Sequence, residues 1–494
     1  MTVSTRYDCI VVGGGVSGTA LLYQLARFTN LKHLLLAEKS NRPAQANSHA
    51  CNNSQTLRHG DIESERKLDQ ALAVKRSTSM LINYASKRPA HERDQILHRM
   101  PRMLLGIGER ECDSIRQRYQ TFRHAYPDMQ LFDRQDIADI EPNVALVDGT
   151  WRHDQILALG TPNAYSAVDF QALSESFSGQ CVRMDRDTKR YADKQVTQLY
   201  STEVSSIRKQ AGDYVLTTNR GPLRARSVVV CASGDSLPMA QSMGLGLDYA
   251  CLPVTNAFFL APEALNGKVY RLHNPRLPFT AMHGDRDIKQ HAKTRFGPSA
   301  LLLPLSQLAR SCPPRGSRQR RRIDRNLAAT LWDLFQVGEI RDHTLRNLLY
   351  RVPILNRRLF VREVQQIVPD IQARDIEYAE QLGGIRAQVI DREAGKLTMG
   401  EVRISDGQGV IFNLTSLSGG SGCLGDAERD MRLVTEQLGA RIDWDAFEHE
   451  LLTNEDSREA PLSAFPSSGR EREPASCNGH PNKVWTPARI ELGV

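Results

Sequence analysis

The first forty residues show two hydrophobic patterns in turn. A run of apolar and β-branched residues at 9–12 has the length of one buried strand. Apolar residues then recur at helical spacing over 21–26, and a second apolar run at 34–37 ends at Glu38. The pattern predicts a strand, a helix and a second strand, which together form one βαβ unit.

Three glycines fill the predicted turn between the first strand and the helix. Gly13, Gly15 and Gly18 have the spacing G-x-G-x-x-G, and Glu38 follows the last of them by 20 residues. The first glycine permits a tight turn, the second lets the backbone approach a pyrophosphate, and the third lets helix and strand pack closely. The helix N-terminus offers N–H groups to phosphates, and Glu38 can accept from a ribose hydroxyl. We expect this unit to bind a dinucleotide whose adenosine ribose lacks a 2′-phosphate.

A second small-residue turn lies in the middle of the chain. Alternating patterns predict strands at 203–207, 214–218 and 227–231, and the last leads into the turn 232–236. A strand that ends in such a turn is how an open α/β sheet forms its ligand crevice. The alternative is a β-meander closed by a polar loop.

A third turn of this kind occurs near the end of the chain. A predicted strand at 409–414 is followed by the glycine-rich segment 418–423 and a helix from about 424 to 438. Glycine-rich backbone before a helix N-terminus suits the polar edge of a cofactor. Because the three turns are spread over about 400 residues, they indicate one nucleotide domain assembled from separated segments.

The chain is predicted to contain two domains built from interleaved segments. The expected boundaries are 1–80, 150–250 and 385–445 for the cofactor domain, and 81–149 and 251–384 for the substrate domain. Residues 250–310 look β-rich, whereas spacings of three and four predict a helical insertion over 324–380. Residues 454–494 contain five prolines and no sustained periodicity, so we expect a disordered tail. The predicted fold class is α/β, with a discontinuous Rossmann-type domain.

Composition narrows the class of protein. The 494 residues include 64 Lys and Arg against 57 Asp and Glu, and the net charge of +7 favours anionic substrates and lipid headgroups. Nine cysteines without a Cys-x-x-Cys pair argue for reduced thiols and against a metal site. Neither an apolar stretch of about 18 residues nor a secretory signal pattern occurs. We therefore expect a cytoplasmic protein without a membrane span.

Short collinear blocks between residues 5 and 440 add a more specific signal. They are NNSQTL at 52–57, GDIE at 60–63, MGLG at 243–246, LPV at 252–254, NGKVY at 266–270, NPRLPF at 274–279, HGD at 283–285, TRFGP at 294–298, GGIR at 383–386, QVID at 388–391, CLG at 423–425 and AERD at 427–430. In these blocks the chain resembles the flavin-dependent malate:quinone oxidoreductase family, most of all its ε-proteobacterial branch. The resemblance implies bound FAD, oxidation of (S)-malate to oxaloacetate, and electron transfer to membrane quinone. The larger D-amino-acid oxidase superfamily implies a discontinuous FAD-binding domain and a mixed-sheet substrate domain.

Some positions depart from the residues usual in that family. Arg58 replaces a usual His, Glu65 and Arg66 replace Asn-Tyr, Ser233 replaces a Gly, and Ala387 replaces a Pro. Two alternatives therefore stay open beside malate oxidation. One is a related flavoprotein that oxidises another 2-hydroxy acid or an amino acid, and the other is a catalytically impaired flavin-binding paralogue.

Oxidation of a 2-hydroxy dicarboxylate requires a hydride acceptor, a base and cations for the carboxylates. The flavin accepts the hydride, while the protein supplies orientation and electrostatics. With the family resemblance, His283 is the expected base, since imidazole titrates near neutral pH. Arg386 and Arg295 are the expected carboxylate clamps, because guanidinium binds carboxylate as a planar fork. Arg58 is either an additional clamp for a substrate carboxylate or a sign that this chain is no longer selected for malate turnover.

More residues are expected to hold FAD besides the glycine loop and Glu38. They are Asn53, Ser54, Gln55, Val204, Gly234, Gly420, Cys423 and Leu424. For residues 53–55, a polar loop after the second strand is the alternative.

A basic stretch interrupts the predicted substrate domain. Seven arginines lie between Arg310 and Arg325, together with helix-breaking Pro and Gly residues and without interleaved aromatic residues. This pattern argues against a nucleic-acid surface. It fits a solvated loop, or a contact with anionic lipid in an enzyme peripheral to the cytoplasmic membrane.

Overall fold

A computed structural model describes residues 6–187, 193–273, 281–302, 353–379, 384–393, 396–397, 401–415, 419–453 and 484–485. Its strands are β1 (Arg6–Val12), β2 (His33–Ala37), β3 (Leu97–Ile107), β4 (Gln130–Phe132), β5 (Leu146–Val147), β6 (Thr150–Trp151), β7 (Ile156–Val168), β8 (Gln195–Leu199), β9 (Val204–Gln210), β10 (Asp213–Thr218), β11 (Gly221–Val230), β12 (Tyr249–Pro262), β13 (Lys268–Arg271), β14 (His283–Arg286), β15 (Lys293–Leu302), β16 (Glu377–Ala379), β17 (Ile385–Asp391), β18 (Lys396–Leu397), β19 (Val402–Ser405), β20 (Val410–Thr415) and β21 (Val484–Trp485). Its helices are α1 (Val16–Phe28), α2 (Leu68–Ser86), α3 (Ala90–Ile96), α4 (Glu109–Phe122), α5 (Arg134–Ile140), α6 (Pro142–Ala145), α7 (Phe170–Arg186), α8 (Ser236–Ser242), α9 (Pro353–Val364), α10 (Cys423–Leu438) and α11 (Trp444–Phe447).

The first sheet has a parallel centre in the order β20, β11, β1, β2 and β8. Its central strands are apolar on both faces, as parallel strands covered by helices must be. On one face, α1 packs against α7 and α10 around a core that includes Leu21, Leu36 and Phe177. The antiparallel strands β10 and β19 extend the sheet beside β11 and β20. The predicted βαβ unit and the strands near 204, 214, 227 and 410 are confirmed.

The second sheet is mixed and runs in the order β18, β17, β12, β15, β14, β13, β3, β7 and β4, with β16 beside β12. Its pairs are antiparallel except for β13 with β3, which are parallel. Helix α9 covers part of one face, where Phe360 stacks on Phe259 with ring centroids 3.9 Å apart. The α/β fold, with a parallel sheet beside a mixed sheet, agrees with the predicted class.

Two predicted domain boundaries need correction. Strand β7 pairs with β3 along most of its length, so residues 156–168 belong to the second sheet, although 150–250 was predicted to be cofactor domain. Strand β17 likewise pairs with β12 and with β18, so the cofactor domain resumes after 397 and not at 385. Hydrogen bonding between strands distant in sequence decides both boundaries, whereas hydrophobic periodicity indicates only the type of each local element.

Three other expectations concern residues that lie partly or wholly outside the described ones. Of the predicted helical insertion, residues 353–364 are helical and 377–379 form a strand, while 324–352 lie outside the description. The arginine-rich stretch 310–325 is also outside it. In the predicted disordered tail, 484–485 pair with β19 as a short edge strand, and the remaining residues after 453 are not described.

Candidate functional site

The glycine turn after β1 has the geometry expected of a pyrophosphate cradle. Gly13 has φ of +108°, and a Cβ there would lie 2.6 Å from the carbonyl oxygen of Cys231, the residue that follows the neighbouring strand β11. A Cβ on Gly18 would overlap the carbonyl oxygen of Gly13. Helix α1 begins after Gly15, which has no side chain to cap the helix, and its first turn contains no acidic residue. Its N-terminus therefore presents backbone N–H groups and positive dipole to an anion.

Glu38 lies beside this turn at the carboxyl end of β2. One carboxylate oxygen accepts from the backbone N–H of Gly14 at 2.5 Å, and the other accepts from Ser40 at 2.7 Å. Val204 is buried at the start of β9. The backbone N–H of Thr202, two residues earlier, donates to the carbonyl of Glu38, so the start of β9 lies next to Glu38. The carboxylate is thus fixed in place and retains lone pairs for a ribose hydroxyl.

The second small-residue turn reaches the same edge of the sheet. It forms a 3₁₀ turn, Ser233–Asp235, directly after β11, with Gly234 at its centre. Asn47 donates to the Ser233 hydroxyl at 3.2 Å, and Lys39 pairs with Asp235 at 3.1 Å. Ser233 has φ of +54°, a conformation that glycine adopts at lower cost.

The third turn closes the crevice from the other side. Gly420 lies in the 3₁₀ turn Gly419–Gly422, where a Cβ would come 2.6 Å from the Phe170 ring. Cys423 and Leu424 begin α10, and both side chains are fully buried in the core. Burial raises the pKa of the Cys423 thiol. These two residues can therefore meet a cofactor through their backbone only.

A segment between β2 and α2, residues 50–56, lies between the two sheets. Gln55 has φ of +53°, donates to the Ala50 carbonyl at 3.1 Å and accepts from the Ile288 backbone at 3.0 Å. Asn53 fixes the start of the segment, since its side chain donates to the carbonyls of residues 47 and 49. The Ser54 carbonyl lies 3.4 Å from the Lys268 ammonium group. All three predicted residues of 53–55 therefore shape this segment.

Arg295 is the main anchor of that segment. Its guanidinium is fully buried and pairs with Asp287 at 2.5 Å. It also donates to the Asn53 carbonyl at 2.9 Å. One nitrogen, Nη2, is buried without a hydrogen-bond partner. The fork that was predicted to clamp a substrate carboxylate is thus largely occupied by the protein itself.

Arg58 is placed differently. Its backbone N–H donates to the Ser421 hydroxyl at 3.0 Å and its carbonyl accepts from Thr78, which hold it next to the third turn. Among the described residues its guanidinium has neither a hydrogen bond nor an ion pair. Burial acts to lower the pKa of Arg58, but Tyr270, with the acidic residues around it, outweighs burial and raises the pKa. Arg58 is a permanent and available cation.

His283 lies on β14 and is 2% exposed. Its Nδ1 is 3.0 Å from the Ala281 carbonyl, and its Nε2 is 3.2 Å from a carboxylate oxygen of Asp285. Burial acts to raise the pKa of Asp285, but Lys268 and His283 outweigh it and lower the pKa, so this carboxyl stays ionised. Nδ1 therefore donates to the Ala281 carbonyl, while Nε2 is buried beside Asp285 without a hydrogen bond among the described residues. The role of His283 as the base stays a prediction.

Arg386 lies on β17 opposite Val254 of β12. Two residues earlier, Gly384 is buried against the 47–52 loop, where a Cβ would come 2.5 Å from the Asn47 side chain. The backbone thus brings Arg386 to the side of the second sheet that meets the cofactor domain. Its side chain lies outside the described residues.

Sequence reasoning missed several residues that complete this site. They are Asn47, Ser48, Thr56, Lys268, Tyr270, Asp285 and Ser421. Ser48 accepts from the Val16 backbone at 2.9 Å and so supports the start of α1. Lys268, Tyr270 and Asp285 were inside quoted sequence blocks, but no local pattern gives a buried polar residue its distant partner.

The crevice fits an FAD molecule on grounds of its own geometry. It combines glycines that a Cβ would block, a helix N-terminus without an acidic residue in its first turn and a fixed carboxylate at the end of β2. Within the described part of the chain, no group of three or more His, Cys, Asp or Glu residues could hold a metal ion. Across the same residues, no helix has both the length and the apolar character needed to cross a membrane.

Comparisons with known proteins agree with this geometry. The family described as malate:quinone oxidoreductase (Mqo) matches residues 5–451. A probable malate:quinone oxidoreductase of Campylobacter jejuni is 37% identical over 90% of this chain and 99% of its own. The malate:quinone oxidoreductase of Helicobacter pylori strain J99 is 34% identical over 92% of this chain and 99% of its own.

Solved structures support the fold. The dithionite-reduced L-α-glycerophosphate oxidase of Mycoplasma pneumoniae with FAD bound superposes with a TM-score of 0.59 at 16% identity, over 89% of this chain and 96% of the other. At that identity the likeness shows the fold alone.

Proposed function

The chain belongs to the malate:quinone oxidoreductase family, so it is an FAD-dependent oxidoreductase that oxidises malate and reduces quinone, and we propose how its own residues serve that reaction. The proposed substrate is (S)-malate and the product is oxaloacetate. The observation that carries the assignment of the substrate site is Arg58, a cation without a partner among the described residues, beside the turn that closes the cofactor crevice.

The glycine turn and Glu38 are proposed to hold the pyrophosphate and the ribose of the adenosine diphosphate part of FAD. Backbone N–H groups at the start of α1 bind the pyrophosphate, and the carboxylate of Glu38 accepts from the ribose. Gly234 and the Ser233 turn flank this part, while Gly420 and the start of α10 contribute backbone near the ring system. When bound, FAD supplies a ring that accepts a hydride and later releases single electrons.

The substrate carboxylates are proposed to bind to Arg58 and Arg386. Arg58 is free to form a two-pronged hydrogen bond, and the nearness of Gly384, two residues before Arg386, to the 47–52 loop supports the assignment of Arg386. Arg295 is proposed to act indirectly and without binding the substrate. Its guanidinium fixes the 50–56 segment through Asp287 and Asn53. His283 is proposed to hold Asp285 ionised and in place.

Anaerobic mixing with malate tests this assignment. The visible absorption band of oxidised flavin should bleach in wild-type protein. Arg58→Gln should retain flavin but need about tenfold to a hundredfold more malate for half-maximal bleaching, because the charge-assisted contact with one carboxylate is lost. Arg123→Gln, a change at an exposed arginine, is the matched control. Bleaching by other 2-hydroxy acids or amino acids alone would transfer the assignment to a related dehydrogenase.

The protein is also proposed to lie peripherally on the cytoplasmic face of a membrane. Quinone is dissolved in lipid, so a protein that reduces it must reach the bilayer, and the net charge of +7 favours anionic headgroups. Sedimentation with vesicles of anionic lipid at low salt tests the proposal. Equal recovery with neutral vesicles would contradict a headgroup contact.

A further inference from the structure

A buried carboxylate lies in the loop 58–66, which precedes α2. Glu63 is 3% exposed, and its Oε2 accepts from the backbone N–H of Gly60 at 2.7 Å. Its Oε1 is also buried, and within the described part of the chain it has no hydrogen-bond partner. The protein therefore fixes one half of this carboxylate and leaves the other half open to a ligand.

One arginine holds the backbone of this loop in place. Arg118 of α4 lies against Phe122, with its guanidinium carbon 4.0 Å from the ring centroid. Its guanidinium donates to four backbone carbonyls of the loop, those of Gly60, Asp61, Glu63 and Arg66, at 2.9, 2.7, 3.0 and 3.1 Å. The loop cannot shift without breaking several of these bonds, so the origin of the Glu63 side chain is fixed.

Two more contacts place the loop beside the candidate substrate site. Gly60 has φ of +90°, and a Cβ there would lie 2.6 Å from the Ala71 carbonyl oxygen, so the loop packs tightly on α2. The Ser64 hydroxyl accepts from the backbone N–H of His273 at 2.7 Å, three residues after Tyr270 of β13. Glu63 thus belongs to the part of the loop that joins the Arg58 segment to the end of β13.

Arg58 and Glu63 are opposite charges that lie near each other without forming an ion pair. Burial is the largest influence on the pKa of each, and each group also shifts the pKa of the other. Across the described residues, neither the Arg58 guanidinium nor Oε1 of Glu63 has a hydrogen bond. Unpaired buried charges cost free energy that a ligand between them recovers. A 2-hydroxy acid fits both, since its carboxylate and its hydroxyl are on adjacent carbons.

We propose that Glu63 is the catalytic base that takes the hydroxyl proton of the substrate while Arg58 binds a substrate carboxylate. This proposal rests on the proposed function, and it gives Glu63 the role that the sequence predicted for His283. Arg118 is a positioning residue, because its guanidinium bonds to the backbone of the loop.

The step is balanced in atoms and electrons. The substrate O–H bond breaks and its proton goes to Oε1 of Glu63. The adjacent C–H bond breaks, its hydrogen and electron pair pass to FAD as hydride, and the carbon–oxygen double bond forms. The substrate is oxidised, FAD is reduced, and Glu63 becomes a neutral carboxylic acid.

The pH dependence of this step has a definite sign. Burial raises the pKa of Glu63, Asp61 adds to the shift, and Arg58 opposes it. A carboxylate with a raised pKa is a stronger base than an ordinary glutamate. Because the base must be ionised, the rate of flavin reduction should rise with pH through this pKa and level off above it.

Other charged and titratable groups also face Glu63. They are Asp61, Glu65, Arg58 and Arg66 of its own loop, Arg118 of α4, Tyr126 after α4, and Tyr270 of β13. The His283 ring stacks on the far side of this set, with its centroid 4.4 Å from that of Tyr270. Since each group can move the midpoint of the pH profile, the loss of the profile in a variant identifies the base.

Glu63→Gln tests the proposal, because the amide keeps the shape and the bond to Gly60 but cannot take a proton. Anaerobic flavin reduction at saturating malate should slow about a hundredfold or more, and its rise with pH should disappear. Glu63→Asp keeps a carboxylate, so it should keep the rise with pH and react faster than Glu63→Gln. Glu175→Gln, the same change at an exposed position of α7, should match wild type in both readouts.

Binding without turnover separates a base from a structural residue. Succinate, a dicarboxylate without the hydroxyl, should perturb the flavin spectrum of Glu63→Gln at a concentration no higher than in wild type. Loss of flavin or of succinate binding in both Glu63 variants would overturn the proposal in favour of a structural role.

The remaining outcomes distinguish the base from the reaction itself. If malate does not bleach the wild-type flavin, the proposed function and the base fail together. If wild type is bleached and Glu63→Gln is reduced equally fast with the same pH profile, only the base is overturned. A pH profile that is kept in Glu63→Gln and lost in His283→Gln would return the role to His283.

Discussion

The hydroxyl oxygen of Ser421 lies 3.1 Å from the carbonyl oxygen of Thr56, a residue 365 positions earlier in the chain. The same hydroxyl accepts from the Arg58 backbone N–H at 3.0 Å. One buried serine therefore joins the third glycine turn to the segment that carries Arg58 and Thr56.

Ser421→Ala should loosen this junction. Both backbone groups lose a buried partner, so we expect the protein to lose about 1–3 kcal/mol of unfolding free energy and to release flavin faster. Urea unfolding and the rate of flavin loss into dilute buffer measure the two effects. Ser114→Ala on the exposed face of α4 is the control, and equal behaviour of both variants would contradict the junction.

Gly18→Ala should prevent flavin binding. The added Cβ would overlap the carbonyl of Gly13, so the turn that cradles the pyrophosphate must move. We expect purified Gly18→Ala to be colourless, which its visible spectrum shows directly. In Gly179→Ala the new Cβ meets nothing within 4 Å, and that helical change should add about 0.5–1 kcal/mol of stability and retain flavin.

Arg295→Lys separates anchoring from substrate binding. Lysine keeps the charge but cannot reach Asp287 and the Asn53 carbonyl together. We expect weaker flavin retention, with an unchanged malate requirement once flavin is added in excess. Arg220→Lys, at an exposed turn, is the control. If Arg295→Lys needs more malate than wild type at full flavin occupancy, Arg295 binds the substrate carboxylate as expected from sequence.

Glu141 should make stability depend on pH. It is 1% exposed and accepts from the backbone N–H groups of Asn266 and Gly267, yet burial raises its pKa to about 7. Since this folded-state pKa lies above that of an unfolded glutamate, the stability linked to Glu141 is complete at about pH 4. It is lost as the pH rises to about 7, by about 3 kcal/mol.

Glu141→Gln removes that titration. From about pH 5 to about pH 8, the unfolding free energy of the variant should therefore improve relative to wild type. Urea unfolding at both pH values measures the difference. Glu436→Gln on the exposed face of α10 should track wild type, and a constant difference between wild type and Glu141→Gln would contradict the shifted pKa.

The parts of the site that sequence could predict are local. Gly13, Gly18 and Glu38 follow from steric and hydrogen-bonding needs of one βαβ unit, and all three lie where that unit requires them. The turn at 233–235 was predicted for the same reason. Its Ser233, at φ of +54°, shows why a glycine is usual there.

The rest of the site depends on pairing at long range. Nothing near Arg295 in the sequence shows that Asp287 and the Asn53 carbonyl occupy its guanidinium. Likewise, the register of β13 with β14, which brings Tyr270 against His283, is fixed by the whole mixed sheet. The residue types were predicted, but their partners follow only from the tertiary fold.

The glycine turn after β1 and the 3₁₀ turn at 419–422 flank one crevice although synthesis separates them by about 400 residues. A nascent polypeptide that ends before α10 has the phosphate cradle but lacks the wall that closes over it. Stable capture of FAD must therefore follow translation of nearly the whole described chain, and a message truncated upstream of residue 419 yields a protein that cannot keep its prosthetic group.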